Sequence, residues 1–139
     1  PTADIVMTNA GGIRQGIPAG DITKGTIIGI LPFLNTLIEL ELTGSQVIES
    51  LRASTVVAGM RTVGGYFHSD GTPLKADSVY TVLTTDYLYS LDGQSFQSYD
   101  PTPYNTGITY FQPTVDYLEF LNTSAADPLD GYLDTVSRR

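Results

Sequence analysis

Leu37-Ile38-Glu39-Leu40-Glu41-Leu42-Thr43-Gly44-Ser45-Gln46-Val47-Ile48 is the stretch in which the hydrophobic period of this chain changes. Over residues 37 to 42, Ile38, Leu40 and Leu42 alternate with Glu39 and Glu41. That period of two describes a strand with one face on a core and the other in water. Thr43 is followed three residues on by Gln46, a capping-box spacing in which each side chain can satisfy the other residue's backbone N–H. Val47, Ile48 and Leu51 then recur at helical spacing, which predicts a helix from about residue 44 to 53.

Working outward, residues 4–7 (Asp-Ile-Val-Met) predict a short buried strand, and Ile17-Pro18-Ala19-Gly20-Asp21 a turn. Residues 23–31 carry Ile27, Ile28, Ile30 and Leu31 and read as a short helix that Pro32 stops. Residues 55–69 hold a Val-Val pair, Gly64-Gly65 and aromatics with no single dominant period. Ser69-Asp70-Gly71-Thr72 then supplies a tight turn consistent with a hairpin. Residues 79–88 are rich in β-branched and aromatic side chains and predict a long central strand. Residues 112–121 place Val115, Leu118 and Leu121 on one helical face, with Pro113 acceptable in the first turn. Strands and helices are mixed rather than strictly alternating, so the expected fold is α+β, a mixed sheet packed with a few helices in one domain over residues 1–139.

Composition removes several functions. The chain has 139 residues, no cysteine and a single histidine, His68, so it has neither a disulfide framework nor a thiolate or His-built metal centre. Formal net charge is −8, and the seven basic residues are scattered, which argues against a nucleic acid polymer as partner. A single nucleotide remains possible, because one arginine and some backbone amides can hold it locally. No apolar run approaches the roughly 20 residues that span a bilayer. Charged residues make up 16% of the chain, below the roughly 25% of an average protein, while Thr, Ser, Gly and nine Tyr are plentiful. This suits an extracellular, cell-surface or periplasmic protein. A start at Pro1, without an initiator Met, reads as a fragment or processed product.

Thr8-Asn9-Ala10-Gly11-Gly12-Ile13-Arg14 places a polar amide, two glycines and an arginine straight after the first strand. Two readings stay open on these residues alone. Adjacent glycines with positive φ would turn their N–H groups into an anion-binding nest, with Asn9 and Arg14 adding polar groups; or this is a glycine turn and Arg14 is merely solvated. Phe33 and Tyr87, each beside a strand, are open between core packing, the commoner fate of such an aromatic, and ligand stacking.

Taken together, Asn9-Ala10-Gly11-Gly12-Ile13-Arg14, Ile17-Pro18-Ala19-Gly20-Asp21-Ile22-Thr23, Leu31-Pro32-Phe33-Leu34-Asn35-Thr36-Leu37, Glu41-Leu42-Thr43-Gly44 and Tyr80-Thr81-Val82-Leu83-Thr84-Thr85-Asp86-Tyr87-Leu88 resemble, in order and spacing, the C-terminal domain of the 5'-nucleotidase family. The resemblance spans roughly residues 3 to 96. The family includes 5'-nucleotidases, UDP-sugar hydrolases and 2',3'-cyclic nucleotide phosphodiesterases, which join an N-terminal dimetal phosphoesterase domain to this substrate-recognising one. It implies that Asn9, Gly11, Gly12 and Arg14 meet the nucleotide, with Arg14 toward ribose or phosphate oxygens, and that Phe33 and Tyr87 sandwich the base.

Where the family has a Gly-Gly-Asp-Gly-aromatic loop that contacts ribose, this chain reads Ser90-Leu91-Asp92-Gly93-Gln94-Ser95-Phe96, with Asp92 a residue or two out of register. Asp86 reads as a residue that caps or turns the strand end rather than as a catalytic acid. The two divalent metal ions that the resemblance implies belong to the N-terminal domain, and no catalytic residue or metal ligand is assigned here. The expected partners are a nucleotide or nucleoside and that N-terminal domain. The expected activity is part of a phosphoester hydrolase, and the chain alone is expected to be inactive. The alternatives are a cell-surface binding module that has lost nucleotide specificity, and a structural domain whose aromatics are all core.

Overall fold

In the computed structural model, which describes residues 2–133, β1 (Ile5–Asn9), β2 (Thr36–Thr43), β3 (Thr55–Ala58), β6 (Val79–Thr85) and β7 (Tyr104–Thr109) form one sheet in the order β3-β1-β6-β2-β7. β4 (Met60–Arg61) and β5 (Phe67–His68) make a separate two-stranded ribbon. Only the β1–β6 pair is parallel in the larger sheet, with Ile5 beside Val82 and Val6 beside Leu83; the other pairs are antiparallel. This is the expected mixed sheet of an α+β domain. Of the expected bounds, residues 1–139, residue 1 and residues 134–139 lie outside the described residues.

The alternation in β2 does what its pattern dictates. Ile38, Leu40 and Leu42 enter the main core with Ile5, Met7, Val57, Tyr80 and Val82, while Glu41 stays exposed and Glu39 half-buried. Three helices close that core: Val47 of α2 (Gly44–Ser50), Leu88 of α3 (Asp86–Ser90) and Phe96 of α4 (Phe96–Tyr99) are all buried in it. A second, smaller core forms where α1 (Lys24–Ile30) meets α5 (Gln112–Leu121), from Ile27, Ile30 and Val115 with Ile22, Leu31, Phe111 and Leu118 around them. α5 begins and ends where the sequence pattern places it, with Pro113 in its first turn.

The expected capping box is formed: the Thr43 hydroxyl accepts from the Gln46 N–H at 3.3 Å and Gln46 Oε1 from the Thr43 N–H at 2.8 Å. Thr23 and Thr26 make a second one at the start of α1. α2 stops at Ser50, short of residue 53, because Leu51 turns extended and the Arg52 N–H donates to the Thr55 hydroxyl at 2.8 Å, steering the chain into β3. β6 likewise ends at Thr85 rather than at residue 88. The Thr85 hydroxyl accepts the Leu88 N–H at 3.2 Å, a helix cap that makes Asp86 the first residue of α3.

The turn at 69–72 is present, closed by the His68 N–H on the Thr72 carbonyl at 2.8 Å and by Asp70, whose carboxylate accepts from both the Thr72 N–H and hydroxyl. The ambiguous stretch before it holds β3, β4 and β5, each at most four residues long and too short to show a period.

Gly44 marks a tight joint between α2 and the loop that leads into β6. A Cβ on it would lie 2.2 Å from the Lys75 carbonyl oxygen, a backbone atom that the Lys75 N–H to Tyr80 hydroxyl bond helps fix in place. Gly44→Ala is expected to destabilise the domain by about 1–3 kcal/mol through overpacking, measured by urea unfolding. A loss below about 0.5 kcal/mol, within the range of ordinary surface substitutions, would show that this joint yields freely.

Candidate functional site

Strand direction decides which loops meet. Because β1 runs parallel to β6 while β2 and β7 run against their neighbours, the C-terminal ends of β1, β6 and β7 and the start of β2 share one end of the sheet. Residues 10–14, 33–35, 86–92 and Tyr110 therefore emerge side by side. In open α/β sheets the crevice outside the carboxyl ends of the strands is where ligands collect.

The first loop is built differently from a nest. Ala10–Gly12 forms a 3₁₀ turn, and neither Gly11 nor Gly12 is among the residues with positive φ. Of the two readings open for this glycine pair, the anion nest is not the one formed. The turn is close-packed: a Cβ at Gly11 would lie 3.3 Å from Asn9 Nδ2, and one at Gly12 3.3 Å from Asn9 Oδ1, tight contacts that the Asn9 side chain would have to relieve. Asn9 packs its amide against the turn, and Arg14 leaves it already held. Its backbone N–H donates to the Ile30 carbonyl at 2.8 Å, its Nη1 donates to the Gly11 carbonyl at 3.0 Å, and its guanidinium carbon lies 5.6 Å from the centre of the Phe33 ring. Such a cation–π contact contributes about 0.5–1 kcal/mol at an exposed site. Arg14 is therefore oriented rather than merely solvated, and among the described residues it has no carboxylate partner.

The second part of the site is a cleft of about 420 Å³ lined by Asn35, Asp86, Tyr87, Ser90, Leu91 and Asp92. Tyr87 and Asp92, 5 positions apart in sequence, both line it. Phe33 and Arg14 stand outside the cleft's lining, joined to it through the chain at Asn35. Phe33 is 41% exposed and Tyr87 50%, so neither is a core aromatic. The loop bearing Asp92 is tied down by Arg52, whose Nη1 donates to the Glu49 and Leu51 carbonyls while Nη2 donates to the Gly93 carbonyl at 3.0 Å.

Asp86 joins the two sides of the cleft. Its carboxylate accepts from Asn35 Nδ2 at 2.6 Å and from the Thr36 N–H and hydroxyl at 3.2 and 3.0 Å. Burial pushes its carboxyl up, but the hydrogen bonds from Asn35, Thr36 and the Tyr87 N–H outweigh it and hold the group below the usual carboxylate range. An acid this fully engaged is a brace, in line with the strand-end role expected of it.

Sequence reasoning leaves Asn35, Ser90 and Tyr110 unassigned. Asn35 stands in the quoted stretch after Phe33, but its purpose shows only beside Asp86. Tyr110 carries no local signal at all: its hydroxyl donates to the Gly12 carbonyl at 2.6 Å, and its N–H to the Asn35 carbonyl at 2.9 Å. Burial pushes its phenol up, which keeps it a donor at neutral pH. Among the described residues no three His, Cys, Asp or Glu side chains converge as a metal site requires; the dimetal centre that the resemblance implies belongs to the N-terminal domain. No helix among them is long and apolar enough to cross a membrane.

Known proteins can now be set beside this geometry. The family model for the 5'-nucleotidase, C-terminal domain, matches residues 1–69. Endonuclease YhcR of Bacillus subtilis is 27% identical over 146 residues, covering 92% of this chain and 12% of that protein. The trifunctional nucleotide phosphoesterase protein YfkN of the same organism is 45% identical over 65 residues, 47% of this chain and 4% of its own length. The crystal structure of a 5'-nucleotidase precursor from Thermus thermophilus shares the fold with a TM-score of 0.72 and 26% identity, over 86% of this chain and 29% of that one. The chain thus spans less than a third of the length of each of these proteins.

Because the folded pKa of Asp86 lies below its unfolded value, its contribution to stability is fully present above about pH 4 and is lost as pH falls through the folded pKa. Asp86→Asn is expected to cost about 1 kcal/mol at pH 7, discounted for partial solvent access, and to flatten the fall in stability between pH 5 and pH 2. Urea midpoints across that range check it. An acid limb as steep in the variant as in the wild type would remove Asp86 from the account.

Proposed function

Since the chain belongs to the 5'-nucleotidase C-terminal-domain family, we propose that it is the substrate-recognition domain of a nucleotide phosphohydrolase, holding base and ribose so that the phosphate is presented to a metal-bearing phosphoesterase domain of the same polypeptide. The observation that carries this reading is the emergence at one end of the sheet of two pairs, Arg14 against the Phe33 ring and Tyr87 beside Asp92 on the cleft wall, on three loops tied by hydrogen bonds. Two half-exposed aromatic rings offer π faces to a base, and stacking contributes about 1–3 kcal/mol per base with little preference among bases. Arg14 supplies the cation for phosphate or ribose oxygens. Asp92, an acceptor on the cleft wall, suits ribose hydroxyls, and Asn9, Gly11 and Gly12 set the turn from which Arg14 projects.

The formal charge of −8 favours a mononucleotide over a nucleic acid polymer. Names among the relatives point to the same ligand class: YfkN is called a nucleotide phosphoesterase and the Thermus protein a 5'-nucleotidase. The described residues supply grip and orientation; the hydrolytic step is assigned to the metal-bearing domain. Orientation is a substantial part of catalysis, because a correctly placed phosphate has already paid much of the entropy of the encounter. The low charged fraction and the Thr, Ser and Tyr content support a site of action outside the cytoplasm. A purely structural module would bury Phe33 and Tyr87, and their exposure favours the binding reading.

Titration of the chain with AMP, followed by calorimetry, tests this. Saturable binding is expected, weakened about tenfold or more by Phe33→Ala and by Tyr87→Ala, with little change in thermal stability because both rings are exposed. AMP binding that neither substitution weakens, or none at all, would sink the proposal.

A further inference from the structure

Tyr110 follows β7, beyond both the matched residues 1–69 and the stretch to residue 96 that carries the resemblance. It nevertheless bonds to both loops of the site. Its hydroxyl donates to the carbonyl of Gly12, 98 positions away in sequence, at 2.6 Å, and its N–H donates to the carbonyl of Asn35 at 2.9 Å. Gly12 is buried, and a Cβ there would sit 3.6 Å from the Tyr110 oxygen, so the phenol fits closely against the turn.

This placement has a mechanical meaning. Gly11 and Gly12 have more backbone freedom than any other residue type, and a turn built on two of them does not hold one geometry by itself. Gly12 lies two residues before Arg14, so rotation of the Gly12–Ile13 peptide swings the guanidinium directly. What fixes that peptide from outside the loop is the Tyr110 hydroxyl. At its other end the same residue is bonded to Asn35, which carries Asp86 and, through it, the wall bearing Tyr87.

Resting on the nucleotide reading above, we propose that Tyr110 is a positioning residue of the site, setting the distance between the Arg14 turn and the Asn35–Asp86–Tyr87 wall through its hydroxyl. It touches no substrate atom. Its effect falls on whatever Arg14 binds, the phosphate end of a nucleotide, and leaves the base end alone.

Tyr110→Phe keeps the ring and the backbone bond to Asn35 and removes only the phenol oxygen. With the 139-residue chain, calorimetric titrations of AMP and of adenosine are compared for wild type, Tyr110→Phe and Phe33→Ala. Tyr110→Phe is expected to weaken AMP about tenfold, the scale of one misplaced charge-assisted hydrogen bond, and adenosine less than about twofold. Phe33→Ala is expected to weaken both, adenosine included, because the base loses a stacking face. In the ligand-free chain, amide exchange at Arg14 should quicken in Tyr110→Phe while β2 and β6 amides keep wild-type rates. If Tyr110→Phe binds AMP as the wild type does, or loses AMP and adenosine equally, the positioning role is overturned while a loss in Phe33→Ala leaves the nucleotide reading standing. If the wild type binds neither ligand, both fall together.

Discussion

The carboxylate of Asp86 is the tie on which this domain's working end depends. It sits where β6 gives way to α3, and through Asn35 and Thr36 it holds the entry to β2 at a fixed distance from the exit of β6. Every other feature of the site is measured from that joint: Phe33 lies two residues before Asn35, Tyr87 follows Asp86 directly, and Asp92 closes the same cleft. A neutral amide in its place would keep the shape but could not accept three donors with the same strength, since hydrogen bonds to an ionised acceptor are about twice as strong as neutral ones.

The electrostatic design is economical. The chain as a whole is acidic, yet Arg14 stands at the site end without a carboxylate partner among the described residues, its position fixed by a carbonyl and an aromatic face. A guanidinium held by neutral groups keeps its charge available to a ligand, whereas one held by a carboxylate would have to be released first. Arg52, by contrast, spends its donors on three carbonyls and acts as a fastener for the Asp92 loop.

What the sequence makes legible here is what short-range chemistry controls. The alternation of β2, the capping pair Thr43 and Gln46 and the apolar face of α5 are local patterns, and each forms as its pattern dictates. The errors lie at element ends, where a distant or neighbouring group decides: Thr55 ends α2 early, and the Thr85 cap turns three expected strand residues into helix. The glycine pair shows a different limit. Two glycines do not say whether the cause is positive φ or, as here, a turn in which the amide of Asn9 packs close to where a Cβ would stand. The resemblance brings Tyr87 and Asp92 to one cleft without revealing Asn35 as its brace or Tyr110 as its strap, because both roles exist only once strands distant in sequence lie side by side.

The second core, between α1 and α5, bears on the site in a way that its small size makes consequential. Among the described residues it contains three buried apolar side chains, and one of them belongs to Ile30, whose carbonyl receives the Arg14 N–H. Parts of a protein with little buried apolar surface open at lower free energy than the rest. Breathing of the α1–α5 pair therefore loosens one end of Arg14's tether while the bonds of Asp86 to β2 stay closed, leaving the two halves of the pocket unequal in stiffness. The side that Asp86 braces is then the stiffer of the two, and the turn that bears Arg14 the looser.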